Sequence, residues 1–240
     1  MNSILKRVVR QTRRRLRYLQ GQEPKVRVIS KYQTQYLGSD NGGWAVIPSL
    51  LSRDSVIYSF GVGEDISFDL AMIEKFGVKV HAFDPTPRSI EWVKSRNVPE
   101  RFSLHEYGLS DQSGTIKFRK PKNSIHISHS AVDIQPADKE VIELPVRSLN
   151  EIAGDLEHTR IDVLKMDIEG SEYCVLEKIA DWAPTVVVVL AEFHHRFPTI
   201  SVDKTRQAIA SLSEAGFEPF WMSDTGEEIG FVNANRLTQN

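Results

Sequence analysis

The sequence predicts a doubly wound α/β domain around a mostly parallel sheet, and three observations predict it. Strand-like apolar runs alternate with helical patterns from residue 56 to residue 215. The run TVVVVLA (185–191) is apolar on both faces, as a central parallel strand must be. A turn carrying Gly61 and Gly63 follows directly on the first run and precedes a helical pattern. The 240 residues suit one large domain, and 40% hydrophobic content supplies a sizeable core.

The chain opens on SILKRVVRQTRRRLRYL (3–19), whose apolar residues recur roughly on one helical face. Residues 1–20 hold seven cations and no acid, so residues 21–240 hold 23 cations against 32 acids, a balance of −9. A basic amphipathic helix suits a solvated leader, a docking helix or a membrane-surface arm, and peripheral membrane contact through residues 3–19 is one expectation. An Arg-rich leader without acids also matches organelle transit peptides. An acidic body does not track phosphates, so no nucleic-acid partner is expected. The turn-rich GSDNGG (38–43) marks the break between a basic arm, 1–37, and the main domain, 38–240.

Within that domain VIYSF (56–60) reads as a strand, and 66–76 as a helix with Phe68, Met72, Ile73 and Phe76 on one face. KVHAFD (79–84) is the next strand. PRSIEWVKSR (87–96) is a helix with proline at its start, where the missing N–H is harmless. FSLHEY (102–107) is a third strand. Residues 114–147 break the alternation: GTIKFRK and VIELPVR flank a polar loop with His126 and His129, and read as an inserted hairpin whose histidines could shape a substrate pocket. Strand 161–167 then leads to helix 171–181, strand 185–192 to helix 202–215, and two strands near 217–222 and 228–232 close the chain. No apolar run reaches the ~18 residues a membrane span needs. The single cysteine, Cys174, excludes an internal disulfide and a thiolate zinc site, and a reducing cytoplasm is expected.

Right-handed crossovers place all parallel strand ends on one edge, where ligands bind. Gly61 and Gly63 permit a tight turn and a close backbone approach. Asp84 ends the second strand 23 residues after Gly61, a spacing that suits an acid binding ribose hydroxyls. Asp84-Pro-Thr-Pro is also good turn chemistry, so a cap for helix 87–96 stays open. The third glycine of a dinucleotide turn is replaced by Ile66, which disfavours an NAD-linked oxidoreductase. Two glycines plus a ribose acid suit a nucleoside without phosphates, and S-adenosylmethionine fits that description.

At the other strand ends, Asp167 and Glu169 crowd two acids together, which a sulfonium, an ammonium or a divalent metal would balance. Glu172 suits the first turn of a helix on dipole grounds. Glu192 and His194 alternate with Phe193 and His195, so one pair faces the cleft. We take Glu192 and His194 as that pair and His195 as a surface or loop residue. A histidine there could remove a proton from a hydroxyl. A magnesium-type site from Asp167, Glu169 and Glu192 is the cation alternative. His81, inside a strand, reads as a core residue.

The segment IDVLKMDIEGSEYCVL (161–176) resembles the hallmark of FkbM-type methyltransferases, a strand ending in Lys-x-Asp-x-Glu-Gly-x-Glu. Lys165, Asp167, Glu169, Gly170 and Glu172 match it. VHAFDPTP (80–87), YGLSDQSG (107–114), VRSLNEI (146–152) and LAEFHHR (190–196) resemble further family segments, in order, over about residues 55–232. The resemblance implies a seven-stranded methyltransferase sheet whose last strand is antiparallel. It also implies S-adenosylmethionine as cofactor, held by Gly61, Gly63, Glu64, Asp84, Pro85, Gly108, Leu109 and Asp167. Catalysis would rest on Asp167, Glu169, Glu192 and His194, and the acceptor would be a hydroxyl on a small molecule, a carbohydrate or a polyketide-like product. This sequence has Ser59 where the family often begins its glycine loop with an acid, and Glu64 or Asp65 could take that acid's place. The competing expectation of another class is a non-catalytic binding or scaffold protein that kept the sheet.

Overall fold

The computed structural model describes residues 3–29, 31–119 and 141–237. Helix α1 (Ser3–Leu19) comes first, followed by a short hairpin of β1 (Gln35–Leu37) and β2 (Trp44–Val46). The main alternation is β3 (Val56–Phe60), α2 (Ser67–Phe76), β4 (Lys79–Phe83), α3 (Pro87–Lys94) and β5 (Phe102–His105). Next come β6 (Gly108–Ser110), β7 (Gly114–Arg119), β8 (Val141–Ser148) and α4 (Leu149–Asp155). The chain continues through β9 (Ile161–Met166), α5 (Glu172–Glu177), α6 (Ile179–Trp182) and β10 (Val186–Glu192). It ends in α7 (Val202–Glu214), β11 (Phe217–Met222), β12 (Glu228–Asn233) and α8 (Ala234–Leu237). The single helix expected over 171–181 is two short ones, interrupted at Lys178 (φ −103°, ψ 17°).

Seven strands form one sheet in the order β11-β12-β10-β9-β3-β4-β5. β10, β9, β3, β4 and β5 pair in parallel, and β12 runs antiparallel between β10 and β11. Every residue of β9 is buried, as are the first six of β10, because helices or loops cover both faces. Alternation sorts the side chains into two cores. Tyr58, Phe60, Leu164, Met166, Val189 and Ala191 pack on one face, and Ile57, Val163, Val188 and Leu190 on the other. In α2, Phe68, Met72 and Ile73 are buried as the helical spacing requires.

β7 and β8 pair antiparallel, as the hairpin reading expects, and β6 joins the other edge of β8 in parallel. The result is a three-stranded sheet in the order β6-β8-β7 rather than a bare hairpin. His126 and His129 lie outside the described residues. His81 is a core residue, its Nδ1 3.0 Å from His105 Nε2, and burial pushes its pKa down to about 3.

Contacts cross the expected division at residues 37 and 38. The β1–β2 hairpin straddles it, and Ile29 N–H donates to the Pro219 carbonyl at 2.8 Å. Glu23 is buried and takes bonds from Arg196 Nη2 at 2.8 Å and, at 3.2 Å, from His195 Nε2. His195 is therefore not the surface residue its position suggests: the chain after α1 folds back over it, a contact 172 residues apart in sequence. Among the described residues no helix is long and apolar enough to cross a membrane.

Candidate functional site

The strand order reverses between β3 and β9, so their C-terminal ends lie side by side with the connections leaving in opposite directions. A crevice opens where strand order reverses in this way. Here the cleft has a volume of about 420 Å³, within the range of small-molecule sites.

The glycine turn forms its floor. Gly61 has φ +72°, and a Cβ there would lie 1.7 Å from the Asp167 carbonyl oxygen, so β3 and β9 approach this closely only with glycine. Gly63 has φ +55°, and its absent Cβ would meet nothing within 4 Å. Any side chain there would occupy the cleft. Lys165 of β9 clamps the turn, Nζ donating to the Gly61 carbonyl at 2.8 Å and to the Phe60 carbonyl at 3.3 Å. Ser59 is fully buried, near the base of this turn. Burial raises the nearby Asp69 carboxyl to about 6.

Asp84, at the end of β4, is buried, and its contacts are those of the turn that leads into α3. Its Oδ1 accepts from Thr86 N–H at 2.9 Å and Thr86 Oγ1 at 2.6 Å, which organises the entry to α3. Its Oδ2 accepts from Gly63 N–H at 3.0 Å, tying the glycine turn to the second strand. Each carboxylate oxygen has two lone-pair directions, so Oδ1 is filled and one acceptor direction remains at Oδ2. Pro85, Gly108 and Leu109 line the same cleft, Gly108 against Pro85 and Val146. Glu64 lines it too, paired with Arg88 at 2.7 Å.

Residues 38–43, expected as a break before the domain, are part of its wall. Ser39 Oγ donates to Asp65 Oδ2 at 2.6 Å, and Asp65 Oδ1 accepts from Ser67 N–H at 2.9 Å. Burial alone would raise the Asp65 pKa, but these bonds hold it below the usual carboxylate range. The loop thereby brings Asn41, Gly42, Gly43 and Trp44 to the cleft. Turn composition signalled the loop but carried no hint that it folds back onto the glycine turn.

The acids at the ends of β9 and β10 converge. Glu169 holds a left-handed backbone (φ +54°) and is followed by Gly170 (φ +102°), a tight reversal that is strained for a non-glycine residue. His194 Nε2 lies 3.5 Å from Glu169 Oε2 and 3.7 Å from Asp167 Oδ1. Asp167, Glu169 and Glu192 line the cleft, His194 is buried beside these acids, and Phe193 enters the core.

Glu172 sits in the first turn of α5, as its sequence position suggests, and does more there than favour the helix dipole. It is fully buried. Its Oε1 accepts from His194 N–H at 3.2 Å and lies 2.9 Å from His194 Nδ1, and its Oε2 accepts from Gly170 N–H at 2.9 Å. The carboxylate thus fixes both the Glu169–Gly170 reversal and the imidazole. The helix-dipole reading was sound locally. The motif marks Glu172 as its last acid, but neither motif nor spacing places its carboxylate against His194.

Electrostatics follow from this crowding. Burial, with Asp167 close by, pushes the Glu192 pKa up to about 9. Burial works to lower His194, but Glu172, then Glu169 and Asp167, outweigh it and raise the imidazole to about 10. In the free protein His194 is a cation at neutral pH and Glu192 is a neutral acid. Asp167, Glu192 and His194 each offer a ligand atom, all within 4.8 Å of one another, so this trio could also hold a divalent cation.

The sequence profile of the Methyltransferase FkbM domain matches residues 56–219, which covers the cleft from β3 into β11. The chain is 31% identical over 170 residues to the human "Probable methyltransferase-like protein 24", covering 70% of this chain and 38% of that protein. The rat protein of the same name matches to the same extent. The chain thus spans well under half the length of these relatives. It is 25% identical over 220 residues to the "31-O-demethyl-FK506 methyltransferase FkbM" of Streptomyces tacrolimicus, covering 78% of this chain and 82% of that one. Among solved structures, fibrillarin of Aeropyrum pernix aligns over 88% of this chain and 85% of its own, with 8% identity and a TM-score of 0.37.

Proposed function

The chain belongs to the FkbM methyltransferase family, and on that premise we propose that it transfers a methyl group from S-adenosylmethionine to a hydroxyl oxygen of a small molecule or carbohydrate. The observation that carries the reading is the convergence of the glycine turn, Asp84 and the acids Asp167, Glu169 and Glu192 on one cleft at the reversal of strand order, with the buried His194 against those acids. The residues fit the cofactor. The open space over Gly63 admits a nucleoside edge, Asp84 Oδ2 keeps acceptor capacity for a ribose hydroxyl, and Asp167, Glu169 and Glu228 line the cleft with carboxylates that would offset positive charge.

S-adenosylmethionine supplies, when bound, an electrophilic methyl group on a positively charged sulfur. The chain's own part is orientation and proton handling. Glu172 holds His194 at Nδ1 and leaves Nε2 against Glu169 and Asp167, which line the cleft. His194 gives up its Nε2 proton more readily once another cation shares these carboxylates, because like charges disfavour its protonated form. The neutral imidazole, or Glu192 freed of its proton in the same way, then accepts the hydroxyl proton as the oxygen attacks. The name of the Streptomyces relative supports an oxygen acceptor.

Titrating S-adenosylmethionine calorimetrically into the wild type and into Asp84→Ala tests the reading. Binding that weakens in the variant is expected. A folded wild type that binds none would overturn it. The geometry of Asp167, Glu192 and His194 favours one second reading, a cation-dependent transfer. Activity lost in chelator and restored by Mg²⁺ or Mn²⁺ would select it; activity that survives chelator assigns the trio to cofactor and acceptor.

A further inference from the structure

Helix α1 is amphipathic but sits the wrong way round for a helix that serves the fold. Its polar side meets the protein. Arg7 Nε lies 3.4 Å from Asp224 Oδ1, Gln11 Nε2 donates to the same oxygen at 2.9 Å, and Arg14 Nη1 donates to the Ser223 carbonyl at 3.3 Å. These three positions, spaced 4 and 3 apart, are one face of the helix. The opposite face carries Leu5, Val8, Leu16 and Leu19, exposed by 51, 52, 55 and 80%. At about 100° per residue they fall within an arc of about 80°. Arg15 borders this stripe on one side and Arg13 flanks it on the other, both exposed, while Arg10 and Arg17 lie nearer the docked face.

Among the described residues, six large hydrophobic side chains are exposed, and five of them lie in α1. Contiguous apolar surface of this kind marks an interaction site. We propose that α1 is an interfacial helix that seats the protein on an anionic lipid bilayer, its leucine and valine stripe entering the acyl boundary and its arginines meeting the headgroups.

Charge complementarity selects this occupant. The helix region carries seven cations while the rest of the chain stands at −9, so an anionic surface attracts α1 and repels the body. A second copy fits less well. Outside α1, Tyr36 is the only exposed large hydrophobic among the described residues, and two α1 helices would oppose arginine to arginine. A polyanion such as RNA would use the arginines and leave the leucines in water. The turn that carries α1, residues 223–226, precedes β12 at the same sheet edge as the cleft, where Glu228 begins the strand and lines the site. The inference does not depend on the methyl-transfer reading.

The test is flotation of the full chain with vesicles of phosphatidylcholine containing phosphatidylglycerol, and with phosphatidylcholine alone, at physiological salt. Wild type is expected on the anionic vesicles, with partitioning reduced about tenfold or more on pure phosphatidylcholine. Leu16→Glu/Leu19→Glu, at exposed positions that leave circular dichroism and melting unchanged, should reduce anionic binding at least as much. Arg13→Gln/Arg15→Gln should weaken it and flatten its salt dependence. Absence of wild-type binding to anionic vesicles overturns the proposal, as does binding that survives the leucine changes. A dimer in analytical ultracentrifugation that the leucine changes convert to monomer, without vesicle binding, would assign the stripe to a second copy instead.

Discussion

Substituting Glu172→Gln separates two roles that the structure joins in one side chain. The buried carboxylate receives three N–H groups, from Gly170, His194 and the His194 ring. Glutamine keeps one acceptor oxygen. If that oxygen stays on His194, the amide NH₂ faces the Gly170 N–H, donor against donor. An unsatisfied buried N–H costs about 1–3 kcal/mol, and loss of charge assistance on the imidazole bond adds about 1. The expected destabilisation is about 2–4 kcal/mol, which for a chain of this size lowers Tm by roughly 5–15 °C. The second effect is electrostatic. Burial disfavours imidazolium, and Glu172 is the leading partner that opposes burial at His194. Its neutralisation should drop the His194 pKa well below about 10. Thermal melts read the first effect, and NMR titration of labelled histidine reads the second. Unchanged melting together with an unchanged His194 titration would refute the claim that Glu172 holds this imidazole.

The two turn glycines should respond differently to alanine. Gly61→Ala forces a Cβ onto the Asp167 carbonyl and should prevent stable folding, read as loss of the cooperative melt, whereas Gly63→Ala should cost about 1–2 kcal/mol of backbone strain while weakening S-adenosylmethionine binding by occupying the cleft. Equal effects at both sites would contradict the described turn. Asp84→Asn keeps an oxygen for Thr86 but puts an NH₂ beside the Gly63 N–H, so calorimetry should show cofactor affinity reduced roughly tenfold to a hundredfold. For pH, both shifted groups act in one direction. His194, raised from 6.5 to about 10, contributes stability that is complete below about pH 6.5 and lost as pH rises through 10. Glu192, raised from 4.5 to about 9, is protonated in the folded state, so stability falls as pH climbs from 4.5 to 9. The Tm of the cofactor-free protein should therefore decline between pH 6 and 10, and a rising profile would show that the cluster is not charged as described.

The fold was legible in the sequence because its evidence is local. Alternation of TVVVVLA-like runs with helical patterns specifies parallel strands buried on both faces, and the order glycine turn, Asp84, Asp167 puts those residues on one sheet edge whatever the loop details. The period-two rule even paired Glu192 with His194, though it could not choose the side of the strand that they share. Tertiary structure decided what depends on distant partners. Glu172 reads as a helix-dipole acid until β10 brings His194 to its carboxylate. His195 reads as a surface or loop residue until Glu23 closes over it, and GSDNGG reads as a turn-rich break until Ser39 reaches Asp65. The amphipathicity of residues 3–19 was likewise plain in the sequence. That the polar face docks and the apolar face is left to solvent was settled by Ser223 and Asp224, two residues more than 200 positions away, because side-chain periodicity defines faces and only packing assigns their partners.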